Sequence, residues 1–309
     1  MKIFDNAIDL VPRDEDSIVT VGTFDGIHLG HKQLISRVVE SGSPSTVVTF
    51  YPHPQMVVAR PGGEFKLLTP PAEKVIELSA LGMERLIVLR FDREMMNMPA
   101  DKFLREIIIE KIGLRKMIIG HDHAFGKNRA GNRNFVIKKS AELGFEVEIV
   151  PPYIIKDKVV SSTIIRHALE AGEVELAAEY LGHRYTISGW VVKGDARGAS
   201  LGYPTANINV NSPVKLLPYN GVYAVIVDLL GEKRPGMLYI GSRPTYGAKD
   251  LTVEAFILDW QGNLYGEELI IEFISRLRGD IRFPSETELI KAIKQDEENA
   301  RKLFQKIDI

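Results

Sequence analysis

Only seven histidines occur in 309 residues, and two of them, His28 and His31, fall in the ten-residue stretch GTFDGIHLGH (22–31). Gly26 and Gly30 allow a ligand to approach the backbone closely, and a helix beginning near Leu29 offers unpaired N–H groups and a positive dipole end, which suits a phosphate. Two imidazoles three residues apart at that turn can donate to phosphate oxygens, and such donors help most where negative charge grows in a transition state. The same pair can also be read as two metal ligands, with His53 or Asp122 completing a zinc site. The glycines favour the phosphate reading. Three further histidines stand in similar places: His53 in FYPHPQ (50–55), and His121 and His123 in IIGHDHAFGKNRAGN (118–132).

The elements that must position these residues alternate. Short apolar runs at 17–22, 45–50, 85–91, 115–120 and 145–152 are separated by helical patterns, among them 69–82, which predicts a helix capped by Thr69 and closed by Gly82, and 99–113. That rhythm predicts an α/β doubly wound parallel sheet covered on both faces. Such sheets bind ligands beyond the carboxyl ends of their strands. Five histidines follow the first, second and fourth of these strands, so five of seven converge on one rim. After Pro152 the pattern changes. Residues 161–182 read as two short helices joined at Gly172. Residues 185–278 hold only β-type runs broken by turns at Gly231, Gly247 and Gly262, which predicts an antiparallel β-barrel. A C-terminal helix over 285–307 opens with Ser285 and Glu288, a capping box. The boundary therefore falls near 183, giving domains 1–182 and 183–309 with the helices 161–182 counted as a bridge in the first.

Composition narrows the chemistry. With a net charge of −2 and a pI near 6.4, the chain has no basic excess for nucleic acid. It contains no cysteine, which excludes disulfides and thiolate chemistry and suits a reducing, cytoplasmic setting. The N-terminus lacks the pattern of a signal peptide, and no run approaches a membrane span. Nothing in the sequence points to an obligatory protein partner.

GTFDGIHLGH (22–31) resembles the signature of the nucleotidylyltransferase superfamily, and SSTIIR (161–166) is similar to its second signature, a serine-rich turn followed by arginine. TFDG with FYPHP narrows the match to bacterial FAD synthetases. GWVVKGDARGASLGYPTANI (189–208), GVYA (221–224), IGSRPTYG (240–247) and the run 251–273 are similar in order to riboflavin kinase. The whole chain thus resembles the bifunctional riboflavin kinase/FAD synthetase family.

The resemblance implies two reactions, both needing Mg²⁺: riboflavin and ATP give FMN in the second domain, and FMN with a second ATP gives FAD and pyrophosphate in the first. It implies that Gly22, Phe24, Asp25 and Gly30 line the ATP site of the transferase, that His28 and His31 hold the α-phosphate, and that Ser162, Thr163 and Arg166 grip the triphosphate. Asp122 is expected near the nucleotide or metal, and His53 near the flavin. In the kinase, Gly194, Gly198 and Gly202 form the phosphate loop, which is no Walker A sequence. Thr205 and Asn207 alternate around Ala206, so a strand would turn both to one side to hold Mg²⁺. Glu254, the only acid in TVEAFIL (252–258), is the expected base for the ribityl hydroxyl. Arg278, with Phe283 beyond it, is expected to close over flavin. The chain departs from the family at His123 and Ala124, where Phe and Arg are frequent, and at Phe256, where histidine is frequent. Phe256 leaves open an FAD synthetase with an inactive flavin-binding barrel. A flavin or nucleotide sensor and a zinc hydrolase are the readings from other classes.

Overall fold

The computed structural model describes residues 1–42, 44–58, 64–194, 202–242 and 251–307. Contacts divide the chain into two compact units, Met1–Ser162 and Thr163–Ile309.

The first unit is built on six parallel strands: β1 (Lys2–Asp5), β2 (Ile18–Val21), β3 (Ser45–Tyr51), β4 (Arg85–Arg90), β5 (Lys116–Gly120) and β6 (Glu146–Val150), in the order β1-β4-β3-β2-β5-β6. Every residue of β2 is buried. Ile18 faces one apolar cluster with Leu34, Ile35 and Leu78, and Val19 and Val21 face another with Phe103, Leu104 and Ile108. Burial on both faces explains why these strands read as continuous apolar runs rather than alternating ones. Helices α1 (Leu29–Glu40), α2 (Pro71–Ala80), α3 (Ala100–Lys102, continuing in π-type turns over Phe103–Ile112) and α4 (Arg133–Leu143) connect them. Strand order reverses between β2 and its neighbours β3 and β5, which opens the crevice typical of such sheets.

Two expectations change here. β1 is an additional edge strand, with only Phe4 partly covered. Thr69 does not cap α2, whose N-cap is Pro70 with no side-chain bond. The Thr69 hydroxyl instead accepts from Gly26 N at 3.0 Å.

Helix α5 (Ser162–Ala171) begins at the last residue of the first unit and, with α6 (Val174–Leu181), to which it is joined at Gly172 (φ 78°), leads the second. A six-stranded closed antiparallel barrel follows: β7 (Thr186–Val192), β8 (Ala206–Val210), β9 (Gly221–Leu229), β10 (Glu232–Ser242), β11 (Leu251–Ile257) and β12 (Glu268–Gly279), in the order β7-β8-β11-β10-β9-β12. Tyr223 and Phe273 meet edge to face in its core at 5.2 Å. Helix α7 (Glu286–Phe304) is capped by Ser285, whose hydroxyl accepts from Glu288 N, and buries Ala300 and Phe304 against the barrel. Of the segment 161–182, expected as a bridge in the first domain, Ser162 bonds Asp25 O of the first unit, while later residues bond within the second: Tyr219 N donates to Leu169 O, Arg276 donates to Ala171 O, and Ser275 bonds Glu175.

Candidate active sites

In the first unit, the turn after β2 is held from three sides. Asp25 is buried and its Oδ1 accepts from Thr69 N at 3.0 Å. Thr69 returns its hydroxyl to Gly26 N, and the Ser162 hydroxyl donates to Asp25 O at 2.7 Å. The backbone is left-handed at Phe24 (φ 47°), Gly26 (φ 94°) and Ile27 (φ 34°), and these tethers offset the strain of the two non-glycine residues. Phe24 is buried, with its ring 5.2 Å from that of His31. A Cβ on Gly22 would stand 3.1 Å from the Phe24 ring, and one on Gly30 would stand 3.3 Å from the His28 ring, so both glycines make room for aromatic neighbours.

His28 and His31 are stacked, with centroids 3.7 Å apart and planes 18° from parallel. His28 is the N-cap of α1: its Nδ1 accepts from His31 N at 3.3 Å. That acceptor role assigns the His28 proton to Nε2, leaving one N–H to donate. Burial lowers the His28 pKa to about 4, against the opposing pull of Asp122 and Asp25. Burial also pushes His31 well below its ordinary value, and His28 and Lys74 add to the push. Both rings are therefore neutral donors near pH 7. Asp122 is exposed at the end of β5, and its charge reaches His28. His121 is also exposed, whereas burial lowers His123 to about 4 beside Phe125. His53 stacks on Phe65 at 4.7 Å and accepts from Gln55 N. With Thr49, Phe50, Tyr51, Leu67 and Lys74 it lines a pocket of about 290 Å³. Among the described residues no three His, Cys, Asp or Glu side chains gather as metal ligands, so the zinc reading finds no site there.

In the second unit, Thr163 is exposed and Arg166 half-buried on the first turns of α5. The barrel wall brings together the three residues expected to act together. Asn207 pairs with Glu254 across β8 and β11, and the Thr205 hydroxyl donates to Glu254 Oε2 at 3.0 Å. Val253, Ala255 and Ile257 are buried while Glu254 and Phe256 are half-buried, so the acid stands on the alternate face of a strand that has neighbours on both sides. Gly194 lies against Asn207: an added Cβ would fall 2.0 Å from the Asn207 amide nitrogen. Gly202 turns with φ 84°, and Gly198 lies outside the described residues. The oxygens of Thr205 and Asn207 are hard donors that fit Mg²⁺, which is usually held by few protein ligands plus phosphates. Arg278 is fixed by Asp296 of α7, with Nε to Oδ2 at 2.8 Å, and its guanidinium lies over Phe283 at 5.3 Å. Phe256 packs edge to face with Tyr203 at 5.3 Å and joins the cluster under α7.

Sequence reasoning missed Tyr239 and Lys74. Tyr239 faces Glu254 across β10 and β11, donates to Asp280, and has its phenol raised to about 12, mainly by burial. No local signal marks it. Lys74 does carry one: it sits four residues before the buried Leu78, on the apolar stripe of α2.

An open sheet with a polar turn at its switch point, joined to a barrel with an acid on its wall, is the plan of a two-domain transferase. Residues 11–164 match the FAD synthetase family, and residues 181–304 match the riboflavin kinase family. The chain is 34% identical over 302 residues to the bifunctional riboflavin kinase/FMN adenylyltransferase of Listeria monocytogenes, covering 96% of this chain and 95% of that one. It is 33% identical over 295 residues to the protein of that name from Bacillus subtilis, covering 93% and 92%. A crystal structure described as a macrolide-efflux protein from Streptococcus pneumoniae matches with a TM-score of 0.88 at 30% identity, covering 97% of this chain and 98% of that one. No helix among the described residues is long and apolar enough to cross a membrane. The chain belongs to the bifunctional riboflavin kinase/FMN adenylyltransferase family.

Proposed function

We propose that this chain converts riboflavin to FMN at the barrel wall and FMN to FAD at the histidine turn, using ATP and Mg²⁺ for both. The observation that carries the reading is the presence on one chain of two separately organised sites: stacked neutral histidines at a helix start, and a Thr205–Glu254 hydrogen bond beside Asn207.

For the transferase, the triphosphate lies over the turn of Gly22, Phe24, Asp25 and Gly30. Phe24 and Asp25 act through the shape of the turn, since both are buried. An FMN phosphate oxygen attacks the α-phosphorus, the new P–O bond forms, and the bond to pyrophosphate breaks. His28 Nε2–H and His31 donate to the phosphoryl oxygens as charge shifts. Ser162, Thr163 and Arg166 grip the remaining phosphates, and Asp122 stands near the nucleotide or metal. His53 and its apolar pocket suit the flavin ring. This functional division assigns 1–182 to the transferase and 183–309 to the kinase, because the second signature runs into α5.

For the kinase, Glu254 takes the proton of the ribityl terminal hydroxyl as its oxygen attacks the γ-phosphorus and ADP leaves. Gly194, Gly198 and Gly202 form the loop over the phosphates, and Arg278, held by Asp296, borders the flavin. Thr205 and Asn207 would hold the Mg²⁺, which when bound neutralises triphosphate charge. Partners are these small molecules, with no nucleic acid and no membrane, and the cysteine-free chain suits the cytoplasm.

Incubation with riboflavin, ATP and Mg²⁺ followed by flavin chromatography tests the reading. FMN followed by FAD supports it. FMN alone removes the transferase assignment, and no new flavin under oxidising and reducing conditions alike favours a sensor.

A further inference from the structure

A lysine rarely lies on the buried stripe of a helix. Lys74 does, at 9% exposure, and its two hydrogen bonds among the described residues go to neutral acceptors. Nζ donates to the Thr23 carbonyl at 2.6 Å and reaches the Thr49 hydroxyl at 3.4 Å, while that hydroxyl also donates to Thr23 O at 3.2 Å. Thr23 is the residue from which the chain enters the left-handed Phe24 and the tethered Asp25. Both Lys74 and Thr49 also line the pocket that holds His53. One lysine thus bonds the turn and lines the pocket.

We propose that Lys74 is a positioning residue for adenylyl transfer, whose ammonium clamps the Thr23 carbonyl and so fixes the turn against which the stacked histidines are set. This rests on the transferase reading of that turn. The clamp is a charge-assisted bond, the stronger kind, and it weakens when the amine loses its proton. Burial lowers the Lys74 pKa to about 8, opposed by Asp25 in the turn and Glu77 on its own helix. Its charge is felt at His31 on α1, and His53, Asp5 and Tyr51 line the same pocket. The protonated form is lost as pH rises through about 8, so FAD formation falls there while FMN formation, made on the other unit, does not share that inflection.

The test is a pH profile from 6.5 to 10 of FAD formation from supplied FMN, with FMN formation from riboflavin followed in parallel on the same protein. The wild-type chain shows an alkaline fall near pH 8 in the first and not in the second. Lys74→Arg, charged throughout this range, keeps activity above pH 8. Lys74→Met lowers kcat for FAD formation roughly 10–100-fold, the scale of a misplaced reacting group, with KM for ATP changed less than about twofold. Its His31 imidazole titrates at higher pH in nuclear magnetic resonance. A wild-type profile flat across pH 8, an Arg variant with the same fall as wild type, or a Met variant of undiminished kcat overturns the proposal. The wild-type and Arg profiles decide the matter even if the Met variant does not fold. Failure of the underlying reading is distinct: the wild-type chain then makes no FAD at any pH.

Discussion

His28 and Glu254, the residues proposed for the two reactions, stand in opposite settings. His28 is 6% exposed, capped onto its own helix, and kept neutral down to about pH 4. Glu254 stands half-exposed on a barrel wall, hydrogen-bonded to the Thr205 hydroxyl and flanked by Asn207 and Tyr239. The difference follows the nucleophiles. The phosphate of FMN is already an anion, so its site moves no proton and is best served by desolvated, pre-set donors. The hydroxyl of riboflavin must lose a proton as it attacks, so its site needs a carboxylate within reach. Burial is useful in the first case and harmful in the second.

Removing the carboxylate breaks the comparison most severely. Glu254→Gln is expected to lower riboflavin phosphorylation about 10³-fold while supplied FMN is still adenylylated, as read by separate assays of the two steps. His28→Ala is expected to lower FAD formation roughly 10²–10³-fold, with FMN accumulating in a chromatographic time course. Acid sharpens the contrast in stability. His28 is neutral in both folded and unfolded chains above its ordinary pKa of 6.5; between there and about 4 only the unfolded chain takes up the proton. Stability is lost over that window by at most roughly 3 kcal/mol. Urea unfolding followed by circular dichroism at pH 7 and pH 4.5 should show this loss, and His28→Gln should reduce it. The smallest effect is confined to the barrel. Ser285→Ala removes the cap of α7, costs about 1 kcal/mol, and lowers the temperature at which kinase activity is lost, leaving the transferase unaffected.

Much of this was legible in the sequence where local pattern and burial coincide. The inner parallel strands announce themselves because both faces are covered, as at Ile18–Val21. The edge strand Lys2–Asp5 does not, since only Phe4 is even partly covered and its pairing with β4 lies about eighty residues away. Alternation puts Thr205 and Asn207 on one side. Their meeting with Glu254 depends on the register of β8 with β11, which no local spacing encodes. Thr69 reads as a helix cap because the residues after it form a helix, yet its hydroxyl serves Gly26, forty-three residues earlier. The helices of 161–182 are visible as amphipathic stretches, but amphipathicity does not say which unit receives the apolar face.

The most direct test of two separate sites is to mix the Glu254→Gln and His28→Ala proteins with riboflavin, ATP and Mg²⁺ and to follow the flavins. Alone, the first should leave riboflavin unchanged and the second should stop at FMN. Together they should restore FAD, because FMN released by one chain is adenylylated by the other. A folded variant that loses both activities, or a mixture that still stops at FMN, would contradict the division of labour.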